Sequence, residues 1–195
     1  MEYSKSLEIP NVHTDNPQNQ EDSSKWRAPD KGNIKANCDV AINKPSHSSK
    51  VSVVFRSWDG KLLEGAAKSI RADSSIDGEL QAIRLACEMA NGLGLKEVEI
   101  ESDNKQAISL SVSKLVPPWQ VCAVVHDIRH FAKEGKHLFR WVRRNANKVA
   151  HEVASLALKK NIPCNSLKKN IPCNWVVNPP LSLVTLLKND FNESL

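Results

Sequence analysis

The hydrophobic pattern of this chain changes its period near residue 74, and that change limits the folds open to it. From Ile34 to Ile42 apolar and polar residues alternate, which predicts a half-buried β-strand with Asp39 on its polar face. Val51–Trp58 and Lys61–Ala67 are also β-prone, and the Asp59-Gly60 pair between them predicts a two-residue hairpin turn. The first part of the fold is therefore predicted to be an antiparallel meander of three strands.

After the meander, apolar residues recur at helical spacing, and helices alternate with short β-prone runs. A first helix is predicted to begin after Ser74 or Ser75, either of which can act as the N-cap, and to end at Asn91-Gly92. The later predicted elements are the strand Val98–Ser102, a helix from Asn104 to about Ser111, a helix marked by Val121, Val124, Val125, Ile128 and Phe131, the strand His137–Arg144 and the helix Lys148–Leu158. This order indicates an α/β domain with a mixed sheet.

The length and composition allow one folded domain with a less regular segment on each side. The chain has 195 residues, of which 41% are hydrophobic and 25% charged, as in an ordinary globular protein. Residues 1–25 are rich in Asn, Gln, Asp, Ser and Pro and are predicted to be a disordered leader, residues 26–158 the domain, and residues 159–195 a C-terminal tail. The tail holds LKKNIPCN twice, and its apolar segment Leu181–Leu187 either packs on the domain or binds another protein.

Charge and cysteine usage restrict the partners and the compartment. The net charge of +5 favours polyanionic partners. No apolar run approaches the roughly 18–20 residues of a membrane span and no secretory signal is present, so we expect a soluble intracellular protein of the nucleus or cytoplasm, without membrane contact and monomeric. The cysteines are odd in number, lack a CxxC pair and are expected to be reduced thiols: Cys38, Cys87, Cys122, Cys164 and Cys173.

Three carboxylates at the ends of predicted elements are candidates for chemistry. Asp39 lies on the first strand, Glu79 in the first turns of the first helix, and Asp103 at a strand-to-helix corner. Taken singly, each is more often a solvated surface charge. If the first strand is central and the fourth pairs with it in parallel, the three side chains meet, and their mutual repulsion then requires hard cations such as Mg²⁺ or Mn²⁺. Two such ions can activate a water and stabilise the leaving oxygen of a phosphodiester.

Four segments, in this order, resemble the ribonuclease H family, and most closely its plant reverse-transcriptase-like branch related to non-LTR retroelements. They are KANCD (Lys35–Asp39), GELQAIRLA with Glu79, ESDN (Glu101–Asn104) and RRNANKVAHEVASLAL (Arg143–Leu158). The resemblance covers roughly Trp26 to Leu158 and implies a five-stranded mixed sheet flanked by helices. It also implies metal-dependent cleavage of the RNA strand of an RNA–DNA hybrid, with Asp39, Glu79 and Asp103 as ligands of two Mg²⁺ or Mn²⁺ ions.

The chain departs from the family pattern at two places. The segment AHEVA puts His151 where well-known active members carry a fourth aspartate, although the plant branch often has histidine there. Imidazole is a softer ligand than carboxylate, so weaker activity or a shift toward Mn²⁺ is expected; alternatively His151 is a polar residue on an exposed helix face. Val40 replaces the glycine that usually follows the first aspartate, and KVSVV lacks the glycines expected before Val53.

Substrate binding is expected from basic and amide side chains near these positions. The candidate nucleic-acid-binding residues are Asn37, Asn104, Arg143, Arg144, Asn145 and Asn147. Guanidinium and amide donors suit phosphate and sugar oxygens, although a strand end with an Asn N-cap explains the last four equally well. A hybrid is read by groove shape and the 2′-OH, so no sequence specificity is expected.

Two functional hypotheses remain. In the first, the chain is a metal-dependent endonuclease of RNA–DNA hybrids in which Asp39, Glu79, Asp103 and His151 are the catalytic residues. In the second, it is a catalytically weak or inactive nucleic-acid-binding or interaction domain that kept the fold. The histidine, Val40 and the missing glycines favour the second hypothesis.

Overall fold

The fold is seen in a computed structural model that describes residues 25–43, 48–159 and 181–192. The predicted leader, the tandem repeat, Cys164 and Cys173 lie outside the described residues. The strands are β1 Ile34–Asn43, β2 Ser48–Ser57, β3 Leu62–Ile70, β4 Glu99–Ser102 and β5 Leu138–Trp141. The helices are α1 Ser75–Gly92, α2 Lys105–Val112, α3 Cys122–Gly135, α4 Lys148–Lys159 and, in our numbering, α5 Leu181–Asn192, with short 3-10 turns at Trp119–Val121 and Arg144–Asn147.

The described strands form one mixed sheet in the order β3-β2-β1-β4-β5. β1 pairs with β2, and β2 with β3, in antiparallel fashion, whereas β4 is parallel to both β1 and β5. The predicted five-stranded mixed sheet is confirmed. β1 is its central strand, and the carboxyl end of β4 lies beside the middle of β1.

Helices cover both faces of this sheet. Ser74, one of the two predicted N-cap candidates, caps α1 by accepting a hydrogen bond from the Asp77 backbone N–H, and the apolar side of α1 packs on Ala36 and Cys38 of β1. On the opposite face, α4 packs against Val54 of β2. The two helices therefore approach the central strand from opposite sides.

The prediction of a half-buried β1 is wrong, because α4 covers the polar face of the strand. Lys35, Asn37 and Asp39 are all buried. Each has a partner there: Lys35 pairs with Glu101 at 2.7 Å, and the other two hydrogen-bond across the sheet and to α4. Alternation identified the two faces, but the polar face is an internal network rather than a solvated surface.

Two further elements differ from their predicted form. The turn between β2 and β3 is longer than two residues: the Gly60 N–H donates to the Ser57 carbonyl, the Ser57 N–H donates to Lys61, and Gly60 has a φ of 74° that glycine adopts readily. β5 ends at Trp141 rather than Arg144, because Arg144–Asn147 coils into a 3-10 turn that leads into α4.

The apolar segment Leu181–Leu187 packs on the domain, which decides between the two alternatives left by the sequence. It forms most of α5, and its Leu183 is buried among Val54, Ala67 and Val153. Among the described cysteines, Cys38, Cys87 and Cys122 are free thiols. Across the described ranges, no helix is both long enough and apolar enough to span a bilayer.

Val40, at the position where a glycine was expected, packs against the first turn of α1. A Cβ added to Gly78 would lie 3.0 Å from Cγ2 and 3.3 Å from Cγ1 of Val40. The Val40 side chain on β1 is thus accommodated because Gly78 on α1 has no side chain. Because Gly78 precedes Glu79, this contact helps to set where Glu79 projects.

We expect Gly78→Ala to stabilise a Val40→Ala protein but not the wild type. Alanine is favoured over glycine within a helix by about 1 kcal/mol, and the stiff branched side chain of Val40 opposes that gain through steric contact. Urea unfolding of the four proteins of the double-mutant cycle measures the difference. Equal stabilisation in both backgrounds would contradict the close packing.

Candidate functional site

Parallel pairing of β1 and β4 places two carboxylates next to each other. Asn37 lies opposite Glu101 in the register, so Asp39 in the middle of β1 and Asp103 just after the end of β4, each two residues further on, project from the same side of the sheet. Glu79 joins them from the first turns of α1. Oxygens of Asp39, Glu79 and Asp103 lie within 4.8 Å of one another.

Burial makes this cluster electrostatically costly. Asp39 and Glu79 are only 3% and 7% exposed, and Asp103 is half-buried. Burial, and then the charges of Asp39 and Asp103, raise the pKa of Glu79 to about 8, although Ser102 donates a hydrogen bond to its Oε2. Burial and the charge of Asp39 likewise raise the pKa of Asp103. The cluster therefore favours a bound proton or cation over three free negative charges.

His151 belongs to this cluster and not to a solvent-exposed helix face. Its Nδ1 lies 2.7 Å from Asp39 Oδ2, and its side chain is 39% exposed. The hydrogen bond to Asp39 is the main cause that raises the pKa of the imidazole above its ordinary value. A protonated His151 compensates part of the charge of Asp39, which a fourth carboxylate would not do.

The donor set fits a hard divalent cation. The three carboxylates offer oxygen atoms, the ligand type that Mg²⁺ and Mn²⁺ prefer, and they are close enough to share an ion. The cations acting on this group are His151, at hydrogen-bond distance from Asp39, and Arg144, whose charge lowers the pKa of Glu79 and Asp103. The oxygen-rich side of the cluster can thus exchange a proton for a metal ion.

Four of the candidate nucleic-acid-binding residues are at least partly accessible, and two of them, Arg144 and Asn104, are near the cluster. Arg143, Arg144 and Asn145 are exposed in and before the turn that leads into α4. Asn104 is half-buried, and its Oδ1 caps α2 by accepting a hydrogen bond from the Ala107 N–H at 2.9 Å. This capping role leaves the side-chain amide N–H groups of Asn104 to donate elsewhere.

Asn37 and Asn147 do not reach the surface with the other four. Asn37 Nδ2 donates to Glu101 Oε2 at 2.8 Å and to Asn147 Oδ1 at 3.2 Å, and Asn147 Nδ2 donates to the Cys38 carbonyl at 2.9 Å. Both amides are buried, and they satisfy one another and the backbone. They join β1 to the start of α4, so the expectation that they contact nucleic acid is replaced by a structural role.

Trp141 is a site neighbour that the sequence reading missed. Its indole Nε1 donates a hydrogen bond of 3.0 Å to the backbone carbonyl of Asp103, and Lys105 Nζ lies 5.9 Å from the ring centre. Trp141 pairs with Ser102 in the parallel register of β4 and β5. Once that register is known, the strand pattern places the indole beside Asp103; the sequence alone gives no register.

Comparisons with known proteins agree with the fold described above. The family model described as reverse transcriptase-like matches residues 37–157. No curated protein matches the chain. Among solved structures, RNase H1 from the halophilic archaeon Halobacterium salinarum is similar with a TM-score of 0.60 and 20% identity, over 66% of this chain and 99% of that chain.

Two further solved structures have the same architecture. LC11-RNase H1, isolated from compost by a metagenomic approach and solved in complex with an RNA/DNA hybrid, has a TM-score of 0.57 and 20% identity over 66% of this chain and 98% of its own. The N-terminal RNase H domain of a Mycobacterium tuberculosis protein has a TM-score of 0.58 and 17% identity over 66% of this chain and 94% of its own. At these identities the likeness is one of fold.

We expect Glu79→Gln to stabilise the metal-free protein, and to do so more as the pH rises. The folded state holds the Glu79 proton up to a pKa of about 8, against an ordinary value of 4.5, so stability is lost as the pH rises between these values. The amide removes this loss, which amounts to up to about 3 kcal/mol at pH 7.

Urea unfolding in a chelator, at pH 4 and at pH 7, measures the effect. Glu88→Gln on the same helix is the matched control and should show no such change with pH. Destabilisation by Glu79→Gln at pH 7, or an equal effect at both pH values, would contradict the electrostatic account.

Proposed function

The chain belongs to the reverse transcriptase-like family and has the RNase H-like fold, and from this premise we propose that it is a metal-dependent endonuclease that cleaves the RNA strand of RNA–DNA hybrids. The convergence of Asp39, Glu79 and Asp103 within 4.8 Å is the observation that carries the proposal. Three buried or half-buried carboxylates this close together are unfavourable unless a cation binds them. Retention of the fold alone does not explain why the three side chains meet.

Asp39, Glu79 and Asp103 are the proposed ligands of two Mg²⁺ or Mn²⁺ ions. When bound, such ions lower the pKa of an attacking water and stabilise the negative charge on the leaving oxygen. Glu79, with its raised pKa, carries a proton near neutral pH and releases it as it becomes a ligand. Ser102 holds one Glu79 oxygen, and the Trp141 indole holds the Asp103 backbone, so both ligands keep their orientation.

His151 is proposed to act on the side of the leaving oxygen. Its support is the 2.7 Å contact with Asp39 together with the partial exposure of the imidazole. Nδ1 donates to Asp39 and fixes the ring, which leaves Nε2 as the second position that can carry a proton. The ring orients Asp39, but in its protonated form it also competes with metal ions for that carboxylate.

Arg143, Arg144 and Asn145, with Asn104 across the cluster, are the proposed contacts to the nucleic-acid backbone. Arg143, Arg144 and Asn145 are exposed, Asn104 is half-buried next to Asp103, and Arg144 is near enough for its charge to act on Glu79 and Asp103. Guanidinium groups pair well with phosphate oxygens, and such contacts position a duplex without reading its sequence. The solved complex of LC11-RNase H1 with an RNA/DNA hybrid supports the choice of hybrid as the substrate class.

The contact between His151 and Asp39 also favours a second candidate, a binding domain that has lost turnover. An ion pair that persists would keep one of the three carboxylates from a metal ion. Such a domain would still bind a hybrid, with steep salt dependence, after the carboxylates are neutralised. The endonuclease needs the same carboxylates for turnover, so cleavage separates the two functions.

We expect Asp103→Asn to abolish cleavage of a labelled RNA–DNA hybrid and to leave the fold intact. The amide matches the carboxylate in size but lacks its charge, so a cation is no longer held. Cleavage in Mg²⁺, and separately in Mn²⁺, is measured together with circular dichroism. Asp73→Asn, which neutralises an exposed carboxylate just before α1, is the control and should retain activity. Turnover by Asp103→Asn equal to wild type would refute the assignment.

We expect His151→Asp to lower the Mg²⁺ concentration that gives half-maximal cleavage by about tenfold, or roughly 1.4 kcal/mol. The variant replaces the imidazole against Asp39 with a hard oxygen ligand. His126→Asp, on the exposed side of α3, makes the same substitution at a distance and is the matched control. If both variants shift the Mg²⁺ dependence equally, or neither does, His151 does not control metal use.

A further inference from the structure

Two parts of the chain outside the family match meet at one buried arginine. The match spans residues 37–157, whereas Trp26 precedes it and α5 follows it. Arg56 of β2 is 1% exposed, and its guanidinium carbon lies 3.7 Å from the centre of the Trp26 ring. Its Nη1 donates to Asp190 Oδ2 of α5 at 2.9 Å. The arginine is thus held between an aromatic face and a carboxylate that lie on opposite sides of the matched domain in sequence.

From Arg56 a chain of hydrogen bonds leads to the acidic site. Arg56 Nη2 donates to Asn37 Oδ1 at 2.7 Å, and Asn37 in turn donates to Asn147 at the end of the turn before α4. Asn37 stands two residues before Asp39 on β1, and Asn147 stands four residues before His151. The network therefore connects α5 to both partners of the Asp39–His151 contact.

Other contacts make α4 responsive to α5. Leu183 of α5 shares one buried apolar cluster with Val149 and Val153 of α4, and the Ser52 hydroxyl of β2 donates to the Ala150 carbonyl at 2.7 Å. The first turns of α4 are thus held by a hydrogen bond from β2 and by apolar packing with α5. A small shift of α4 moves His151 relative to Asp39, since the helix carries the ring as a rigid body.

The buried charge explains why Asp190 matters to this arrangement. Burial lowers the pKa of Arg56, and Asp190 is the first of the charges that oppose this effect. Removing one partner of a buried ion pair leaves the other charge uncompensated, which is strongly destabilising and which movement toward water would relieve. Movement of the guanidinium would withdraw its hydrogen bond from Asn37.

We propose that Asp190 is a positioning residue for the acidic site: by holding Arg56 against Asn37, it keeps α4 in the place where His151 contacts Asp39. The helix α5 is then a working part of the site, although it lies beyond the matched family domain. The predicted effect on cleavage rests on the proposed endonuclease function. The predicted effect on the position of His151 does not depend on that function.

The experiment compares three full-length variants with the wild type. Asp190→Asn removes the charge, Asp190→Glu keeps it, and Ile128→Val weakens the core at α3, away from the network. The His151 ring nitrogens are observed by NMR at one fixed pH in metal-free protein. Hybrid cleavage is measured well below the unfolding temperature, with kcat and KM determined separately.

Asp190→Asn is expected to shift the His151 ring resonances and to lower kcat by about tenfold, with KM nearly unchanged, because misplacing a group in the site slows the chemical step. Asp190→Glu should restore part of both. Ile128→Val should lower the melting temperature without moving either readout. In an Arg56→Met background, Asp190→Asn should have no further effect on the resonances, since the link is already cut.

Unchanged His151 resonances in Asp190→Asn would overturn the proposal and leave α5 with a stabilising role only. Equal shifts in Ile128→Val would overturn it as well, because they would report general loosening. A wild type that shows no cleavage refutes the endonuclease proposal. In that case the His151 resonances still decide whether Asp190 positions the site.

Discussion

Parallel pairing between β1 and β4 is the contact on which the acidic site depends. It brings Asp39, in the middle of β1, next to Asp103, just after β4, and α1 adds Glu79 beside them. Antiparallel pairing of the same strands would carry Asp103 away from Asp39. The crossover that parallel pairing requires is supplied by α1, so the helix that makes this topology possible also delivers the third carboxylate. The close approach of Val40 to Gly78 fixes the point at which α1 begins its passage over β1.

This arrangement places electrostatic cost where the proposed chemistry needs it. The raised pKa of Glu79 means that the metal-free fold is strained by charge, and a bound cation relieves the strain. His151 provides a partial internal substitute by donating to Asp39. On the face of the sheet covered by α4, Asn37 of β1 forms hydrogen bonds with Glu101, Asn147 and Arg56. These bonds hold β1 in position despite the repulsion between the carboxylates. The hydrogen-bonded polar groups of β1 thus stabilise the strand that carries part of an electrostatically unfavourable cluster.

Local patterns in the sequence predict much of this fold. The alternation in β1, the Ser74 cap and the Asp-Gly turn depend on residues that are near one another in the chain, and the order of motifs indicated the sheet and the three carboxylates. The missed features are contacts between distant residues. Arg56 and Asp190 are 134 positions apart, and nothing in either segment predicts that they meet. As amides, Asn37 and Asn147 were expected at a polar surface. They form a buried pair because α4 packs over this face of β1. His151 was balanced between a site residue and a surface residue until the distance to Asp39 was known.

The central hypothesis is that the three carboxylates form a divalent-cation site. Its most direct test is anomalous scattering from crystals of the protein grown or soaked in Mn²⁺, with Asp103→Asn crystals treated identically. We predict an anomalous peak among the side chains of Asp39, Glu79 and Asp103 in the wild type and its loss or marked weakening in the variant. A wild-type crystal with no peak at the cluster at millimolar Mn²⁺, or with Mn²⁺ bound only elsewhere, would contradict it.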